Sequence, residues 1–412
     1  MISIHEALDS VLGAVRPLDA EEVPLLQALG RAAADRIVSP EQVPSFANSA
    51  MDGFAVCGEE LEAGRREYRV TVDIPAGRFV SDPVARGDAA RIMTGAPMPP
   101  GVDTVVQVEH TSVDDDLVTV EQVPLLGANV RRAGEDVAAG DVLFERGARL
   151  GAAEIGLLAA VGVERVRVVR RPRVAILATG SELVPAGRPL RPGQIRNSNS
   201  FTAYGQVLAA GADPILLGIA RDDVEETRRL MAAALQNDVV ITSGGVSVGD
   251  YDFVKQVQEE LGVERRFWGV ATKPGKPLAF GVRGGTLVFG VPGNPVAAMV
   301  SFEMYVRPAL LALQGRPDVY RPWFFAEAAE PVRGTKDRTE ARRCRFTHEE
   351  GAVKFTTTGP QGSGILSSMT GAEGMFFVPP GSPGGDVGEE LLAMLLEGSS
   401  TERPPFPGLQ AS

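Results

Sequence analysis

Three glycine-containing segments each follow a predicted strand, at residues 179–182, 243–250 and 292–295, and the first two also carry hydroxyl groups. The backbone N–H groups of glycine turns can approach an anion closely, and hydroxyl groups add further donors. Since the carboxyl ends of parallel strands meet at one sheet edge, we predict a shared anion site. A turn that binds nothing is the alternative for each segment taken alone. The candidate ligands are Ser243, Gly244, Gly245, Ser247, Gly249, Pro292, Gly293, Asn294 and Pro295.

Two lysines lie in a stiff turn between the second and third of these segments, in the sequence Lys273-Pro274-Gly275-Lys276-Pro277. Proline restricts the backbone, and an ammonium group is a common ligand of phosphate. A pair of solvated surface lysines is the alternative. Because the turn lies beside the predicted anion loops, we predict that it contributes Lys273, Lys276 and Pro277 to the binding of a phosphate or another oxyanion.

Three carboxylates, Glu182, Asp222 and Asp250, lie at or near the same predicted edge. Hard divalent cations prefer oxygen ligands, and Mg²⁺ is commonly held between carboxylates and the phosphates of a substrate. We therefore predict a metal site made of these three residues. An aspartate after a strand can instead cap the next helix, and for Asp222 and Asp223 both interpretations stay open.

Small polar residues also lie in glycine-containing turns of the first half, at residues 48–53 and 91–97, which include Asp52 and Thr94. Their composition alone does not distinguish a site from a structural turn. The chain contains only two cysteines, Cys57 and Cys344, and three histidines. These numbers disfavour a metal site made of thiolates or imidazoles and a histidine-based catalytic triad.

The composition is that of an acidic globular chain. Of its 412 residues, 53 are acidic and 41 are lysine or arginine, which gives a net charge of −12. This balance disfavours a nucleic-acid-binding surface, so an anionic ligand must meet a local basic patch. No apolar run approaches the roughly 18 residues of a membrane span, and the first residues do not resemble a signal peptide. We predict a cytoplasmic protein.

Hydrophobic periodicity divides the chain into four regions. Apolar residues at three-to-four spacing predict helices over 4–15, 25–34 and 152–161, and short strands dominate 43–123. From residue 173 buried strands alternate with amphipathic helices, which predicts a doubly wound α/β domain with a mostly parallel sheet. The predicted regions are 1–42 with 124–170 (elongated and mainly helical), 43–123 (an inserted β domain), 171–315 (α/β), 316–402 (a C-terminal β domain) and 403–412 (a frayed tail).

Seven sequence strings, in this order, resemble the molybdopterin molybdenumtransferases, the family of MoeA and of the gephyrin E domain. They are residues 49–55, 91–97, 134–136, 179–183, 243–250, 273–277 and 292–295. They extend over nearly the whole chain, which makes the resemblance specific. The family fold implies the same four regions, with an α/β domain like the molybdopterin adenylyltransferases and a C-terminal domain like a β-barrel.

The resemblance implies the final step of molybdenum cofactor assembly, in which molybdate is inserted into the dithiolene of adenylylated molybdopterin and AMP is released with a divalent cation. Both substrates are anions, which fits the lysine turn. Mg²⁺ held by Glu182, Asp222 and Asp250 would polarise the pyrophosphate bond of the substrate and orient it.

The resemblance also implies a homodimer with shared active sites, in which the β domain of one subunit closes over the α/β domain of the other. Asp52, Thr94 and Asp136 would then act in catalysis across the interface. The adenylyltransferase and molybdoenzymes are candidate handover partners, whereas nucleic acid and membrane partners are not expected.

The chain departs from the family pattern at two positions. Ala297 stands where many relatives have a serine, so that one hydroxyl contact to molybdate is missing. In the motif at residues 338–343, Ala341 replaces a phenylalanine. This leaves open whether Arg342 or Arg343 binds the oxyanion, although the register favours Arg343. The same alignment suggests Ser363 and Ser368 as further substrate ligands.

Two other functions compete with the transferase. The α/β domain alone would also fit the adenylyltransferase that makes the adenylylated substrate, but the additional regions and the motifs around Asp52 and Thr94 favour the transferase. A gephyrin-like scaffold that binds receptor tails is the third possibility. It has little support, because no adenylyltransferase domain or long linker is fused to this chain.

Overall fold

The structure is a computed structural model, and it describes residues 1–244, 253–349 and 351–408. Within these residues the chain forms a doubly wound α/β domain, a β domain, a closed five-stranded barrel and a region of short paired segments that joins them. The predicted fold class is confirmed.

The α/β domain is built on a six-stranded sheet with helices on both faces. Successive residues of the inner strand Arg173–Thr179 point into two different cores. Val174 and Ile176 face one core, and Ala175 and Leu177 face the other. In the order given below, the first four strands pair in parallel, and the fifth and sixth strands each join the sheet through an antiparallel pair. The order across the sheet is Asp213–Ala220, Arg173–Thr179, Val239–Ser243, Thr286–Val291, Ala279–Arg283 and Glu264–Trp268.

The helices of this domain follow the predicted pattern. They are Asn199–Ala209, Val224–Ala234, Phe253–Glu260 and Pro295–Ser301, the last continuing through a π-helical turn, Phe302–Val306, into Arg307–Leu313. The continuous helix Pro295–Leu313 is long and apolar enough to cross a membrane, but 89% of its most apolar window is buried in the protein. Glu303 and Arg307 interrupt its apolar sequence, and this helix is a core element.

The β domain is a six-stranded sheet with a separate apolar cluster on each face. Phe54 and Ala55, adjacent in one strand, enter the two different clusters, as the alternation of side chains in a strand requires. A short helix, Gly58–Glu62, and a 3₁₀ turn, Val108–His110, complete the domain. The order of strands is Thr104–Gln107, Gly53–Val56, Asp88–Ile92, Glu67–Ile74, Leu117–Val120 and Thr111–Asp114.

The joining region contains less helix than the periodicity predicts. The expected second helix is only a 3₁₀ turn, Leu25–Ala28, after which the chain is extended. Three short antiparallel pairs make up most of the region: Ala20–Pro24 with Arg165–Val169, Ile37–Val38 with Val142–Phe144, and Asn48–Ser49 with Val130–Arg131. Of its two α-helices, Ala152–Ala160 packs here, whereas Ile4–Ala14 buries its apolar face in the core of the α/β domain.

The barrel closes because the strand Thr339–Glu349 pairs with neighbours on both sides. Two residues of the α/β side, Thr272–Lys273, extend its sheet beside Thr339–Glu340. The short pairs Leu183–Val184 with Ile195–Arg196 and Val332–Arg333 with Gly384–Gly385 lie outside the large sheets, as does the 3₁₀ turn Leu366–Ser368. The barrel strands are Trp323–Ala328, Thr339–Glu349, Ala352–Thr357, Gly374–Val378 and Glu390–Leu395.

Residues 403–408 are docked onto the protein, in contrast to the frayed tail predicted for this part of the chain. Phe406 is only 5% exposed and belongs to the main core. Its ring meets Phe377 of the barrel edge-on, with a centroid separation of 5.0 Å. The periodicity could not predict this contact, because a single aromatic residue among prolines carries no helical or strand pattern.

Candidate active site

The described residues of the three predicted anion loops converge at the edge of the parallel sheet. Gly244 has a φ of +92°, and a Cβ atom there would lie 2.5 Å from the carbonyl oxygen of Thr179. Thr179 Oγ1 donates to the carbonyl of Ser243 at 3.3 Å. The Cα atom of Gly244 lies 4.0 Å from the place where a Cβ atom on Gly293 would stand. Only glycine allows the backbones to approach so closely, which explains the residue type at position 244.

A cavity of about 400 Å³ opens between these loops and the start of the helix Asn199–Ala209. Asn199 Nδ2 donates to the carbonyl of Gly293 at 2.8 Å and joins the helix start to the third loop. We call this space the smaller cavity. It is lined by Thr179, Glu182, Leu183, Ile195, Arg196, Asn197, Ser198, Asn199, Ser243, Gly244, Gly293, Asn294 and Pro295.

A larger cavity of about 1050 Å³ lies between the α/β domain and the barrel. Its volume is at the upper end of the range for small-molecule sites. Five of its lining residues are cationic and two are carboxylates, so its wall is positive although the chain carries a net charge of −12. The cationic residues are Lys273, Lys276, Arg333, Arg338 and Arg342, and the carboxylates are Glu330 and Glu340.

An ion triad connects the two walls of the larger cavity. The buried carboxylate of Glu340 accepts from Lys273 Nζ at 3.0 Å and from Arg342 Nη2 at 2.6 Å. Burial raises the pKa of Glu340, but the bonds from Arg342 and Lys273 outweigh it and hold this pKa below its usual value. Glu340 is therefore charged at neutral pH, and it fixes one lysine and one arginine in place.

The loop Pro292–Pro295 separates the two cavities and contributes to both. Asn294 lines each of them, and its Nδ2 donates to Ser363 Oγ of the barrel at 3.0 Å. Ala297, in the first turn of the following helix, lines the larger cavity. A ligand in the smaller cavity can therefore meet a ligand in the larger one at this loop.

In the β domain, Asp52 and Thr94 are joined by two hydrogen bonds. Asp52 Oδ1 accepts from the backbone N–H and from the hydroxyl of Thr94, both at 2.7 Å, and these bonds lower the pKa of Asp52. The carboxylate is exposed, as is Asp136. None of the three residues lines either cavity of this chain.

Comparison with known proteins decides the family. The chain is 38% identical over 378 residues to the molybdopterin molybdenumtransferase of Haemophilus influenzae, a match that covers 90% of this chain and 92% of that protein. It is 39% identical over 391 residues to molybdopterin molybdenumtransferase 2 of Mycobacterium tuberculosis, with 92% and 96% covered. The chain belongs to the molybdopterin molybdenumtransferase (MoeA) family.

Family models and a solved structure agree with this assignment. The MoeA N-terminal region (domains I and II) matches residues 2–162, a probable molybdopterin-binding domain matches 175–312, and the MoeA C-terminal region (domain IV) matches 326–396. The crystal structure of the molybdopterin biosynthesis MoeA protein from Pyrococcus horikoshii has a TM-score of 0.81 at 29% identity and covers 96% of this chain and 100% of that one. The predicted family and transferase class are confirmed.

The structure presents Arg342, rather than Arg343, to the larger cavity of this MoeA-family chain. Arg343 is fully buried, and its Nε and Nη2 atoms both lie 3.1 Å from Ser368 Oγ. Burial lowers the pKa of Arg343 to about 10. Neither Arg343 nor Ser368 lines the larger or the smaller cavity, whereas Ser363 lines the larger one. A direct contact of Arg343 and Ser368 with substrate therefore stays a prediction.

Two of the three predicted carboxylates, Glu182 and Asp222, lie on neighbouring loops. Glu182 lines the smaller cavity, and the backbone N–H of Asp222 donates to Ser181 Oγ at 3.0 Å. Asp223, not Asp222, caps the helix Val224–Ala234, accepting from the N–H of Glu226 at 2.7 Å. Asp250 lies outside the described residues, as do Gly245, Ser247 and Gly249. Among the residues that the structure does describe, no group of three or more histidine, cysteine or acidic side chains could hold a metal ion.

Two groups of lining residues escaped the sequence analysis. Arg333 comes from the short strand pair Val332–Arg333 with Gly384–Gly385 beside the barrel, and nothing in its local sequence marks it. Residues 195–199 line the smaller cavity and are absent from the predicted ligands. Their run of arginine, asparagine and serine just before the helix Asn199–Ala209 was the signal that could have identified them.

Proposed function

We propose that this enzyme inserts molybdate into adenylylated molybdopterin and releases AMP. The observation that carries the proposal is the pair of cavities that share the loop Pro292–Pro295, one built from the glycine loops and one with a positive wall. Two anionic substrates bound on the two sides of this loop would meet there. Binding both on one protein makes their reaction effectively unimolecular, because the cost of bringing them together is met on binding.

The positive wall supplies the physical reason why the two anions can be brought together. Their mutual repulsion is offset locally by Lys276 and Arg333, for which the described residues contain no ion pair. Lys273 and Arg342 share Glu340 and so present a fixed, partly neutralised pair of donors. Molybdate would bind on this wall, and the adenylylated substrate would extend over the glycine loops.

We also propose Mg²⁺ at the smaller cavity, with Glu182, Asp222 and Asp250 as ligands. Glu182 and Asp222 provide hard oxygen donors on adjacent loops, and no ion pair neutralises either carboxylate within the described part of the chain. A bound Mg²⁺ would polarise the pyrophosphate bond of the substrate. Ser181 Oγ accepts a hydrogen bond from the backbone N–H of Asp222, which holds the loop of Asp222 beside the first anion loop.

A homodimer with shared active sites is the third part of the proposal. Asp52 and Thr94 line neither cavity, so they can act on the substrate only if another subunit brings them there. An apolar stripe of Phe201, Tyr204 and Leu208 lies exposed at positions i, i+3 and i+7 of the helix Asn199–Ala209. A second copy of the chain is the partner that we propose for this stripe, and the cytoplasm is the compartment that we propose for the dimer.

Product analysis tests the proposed reaction against its competitors. Purified protein is incubated with adenylylated molybdopterin, molybdate and Mg²⁺, and nucleotides are separated by chromatography. We expect AMP and molybdenum cofactor in equal amounts. An adenylyltransferase would instead consume ATP with molybdopterin, and a scaffold would do neither. The extra cavity formed with the barrel favours the transferase, because an α/β domain alone would lack that wall.

A further inference from the structure

Residues 403–408, which we call the strap, tie the first helix to the barrel. Arg403 Nη2 lies 2.6 Å from Asp9 Oδ1 on the helix Ile4–Ala14. The Phe406 ring lies 6.1 Å from the His5 ring of the same helix and 5.0 Å from Phe377 of the barrel. The helix packs into the core of the α/β domain, so the strap lies between the α/β domain and the barrel, which also form the walls of the larger cavity.

The strap also holds the barrel strand that leads into the cavity. Thr339 is 2% exposed, and its hydroxyl donates to the carbonyl of Pro407 at 2.5 Å. The backbone N–H of Thr339 donates to the carbonyl of Ala271 at 3.2 Å. The buried Thr339 is thus hydrogen-bonded to the strap through its side chain and to the α/β domain through its backbone.

The residues held in this way are those next to the ion triad. Thr272 and Lys273 pair in parallel with Thr339 and Glu340, so that Lys273 Nζ reaches the Glu340 carboxylate at 3.0 Å. The start of the chain supports the same place, because Ala271 N–H donates to the carbonyl of Ile2 at 2.9 Å. A shift of the Thr339 strand would move Glu340, and with it the cations that line the cavity.

We propose that Thr339 and Phe406 are positioning residues for oxyanion binding, and that the strap acts through them by fixing the register of Thr272–Lys273 against Thr339–Glu340. This inference rests on the proposed function, since it assumes that the larger cavity binds molybdate. The strap contacts the barrel through the Thr339 hydroxyl, next to Glu340 in the chain, and through the Phe406 ring against Phe377.

Isothermal titration with molybdate alone, at a temperature well below melting, tests the inference. Thr339→Val keeps the shape of the side chain and removes the hydroxyl, and we expect its Kd to rise about fivefold or more. Thr339→Ser keeps the hydroxyl and should bind within about twofold of the unmodified chain. Phe406→Ala should weaken binding in the same way, whereas Phe325→Ala, a change at a barrel phenylalanine that is 55% exposed, should not.

Hydrogen exchange separates this inference from the proposed function. In Thr339→Val, exchange should accelerate at residues 271–273 and 339–342 and stay unchanged in the β domain. If the unmodified chain does not bind molybdate, the proposed function fails, while the exchange pattern still decides about the strap. Unchanged exchange and unchanged Kd in Thr339→Val, or an equal loss in Thr339→Ser, would overturn the inference.

Discussion

At the scale of single residues, the two lysines of the turn at 273–277 differ in their surroundings. Lys273 is bound to the buried carboxylate of Glu340 at 3.0 Å. For Lys276 the described residues contain no ion pair, and its side chain is exposed on the wall of the larger cavity. An exposed and unpaired ammonium contributes little to folding but is fully available to an anion.

Lys276→Ala should therefore separate binding from stability. A charge-assisted contact is worth about 1.5–3 kcal/mol, so we expect the Kd for molybdate to rise about 10- to 100-fold. The free energy of unfolding should change by less than about 1 kcal/mol. Isothermal titration and thermal melting measure the two effects, with Lys336→Ala as the matched lysine outside both cavities. Equal losses in both measurements would contradict the assignment.

Glu340 should make stability depend on pH in a defined direction. Its pKa is lowered in the folded chain, so its contribution is full above the ordinary carboxyl pKa of about 4.3 and is lost as the pH falls through the folded value. We expect Glu340→Gln to lose about 1.5–3 kcal/mol at pH 7. The difference from the unmodified chain should shrink below about pH 4. Urea unfolding at several pH values measures it.

Glu349→Gln is the control for this pH dependence, because Glu349 pairs with Lys354 at 3.3 Å in an exposed position. Its effect should stay below about 1 kcal/mol at every pH. A Glu340→Gln difference that is independent of pH would argue against the charged triad.

Asp222 and Asp223 should respond to substitution in opposite ways. Asp223 caps a helix, so Asp223→Ala should cost about 1 kcal/mol of stability and leave the rate of AMP release nearly unchanged. Asp222 caps nothing among the described residues, and Asp222→Asn should leave stability unchanged. It should slow AMP release at least about tenfold and raise the Mg²⁺ concentration needed for half-maximal rate, as the loss of a charged metal ligand requires. Melting curves measure the stability of the two variants, and a metal titration measures the rate of AMP release and its dependence on Mg²⁺.

Full activity of the Asp222→Asn variant, or of the unmodified chain in EDTA, would contradict the assignment of a metal site.

At the scale of elements, the turn after the strand Val239–Ser243 sets the distance between the anion loops. Gly244 combines a φ of +92° with an approach to Thr179 that leaves no room for a Cβ atom. Gly244→Ala should therefore cost about 1–3 kcal/mol of stability and weaken binding of the adenylylated substrate. Gly156 lies in the helix Ala152–Ala160 with open space around it, and Gly156→Ala should stabilise the chain by about 0.4–1 kcal/mol. Urea unfolding titrations measure the stability of both variants. A Gly244→Ala variant with unchanged stability and unchanged substrate binding would show that the loops can accommodate the added Cβ atom.

Strand alternation explains why the register alone did not identify the arginine on the cavity wall. Glu340 and Arg342 point to the same face of the strand Thr339–Glu349, whereas Ala341 and Arg343 point to the other. The motif has both arginines in adjacent positions, so a shift of one residue exchanges the guanidinium that lines the cavity for the one that is fully buried. The pairing of Glu340 with Lys273 decides which face meets the cavity.

At the scale of the whole molecule, the site needs a second subunit if Asp52 contributes to it. Mixing an Asp52→Ala chain with a Lys276→Ala chain should restore AMP release in the mixed dimers that have one intact shared site. Each parent alone should be nearly inactive, and light scattering should report a dimer. Phe201→Glu places a charge in the exposed apolar stripe and should shift the chain toward monomer, whereas Phe79→Glu, on an exposed phenylalanine of the β domain, should not. Mixed dimers of well-folded parents that stay inactive would refute the shared site.

Local sequence determined the periodic elements and the loops at their ends. Buried strands such as Arg173–Thr179 and the helices between them follow from short-range patterns of apolar residues, and the turns at Gly244, Lys273 and Pro292 were evident from residue type. The seven family strings placed the chain among the molybdenumtransferases, and the comparisons confirmed this. These features depend on residues close together in the chain, and that is why the sequence alone was sufficient.

Tertiary structure alone decided how these parts meet. The larger cavity joins residues 273–297 to residues 330–376, and the triad at Glu340 exists only because a barrel strand pairs with Thr272–Lys273. The docking of Phe406 and the choice between Arg342 and Arg343 depend on the same contacts. Such contacts link positions far apart in the chain and are fixed by packing and charge neutralisation between separate bodies, which no local pattern of residues records.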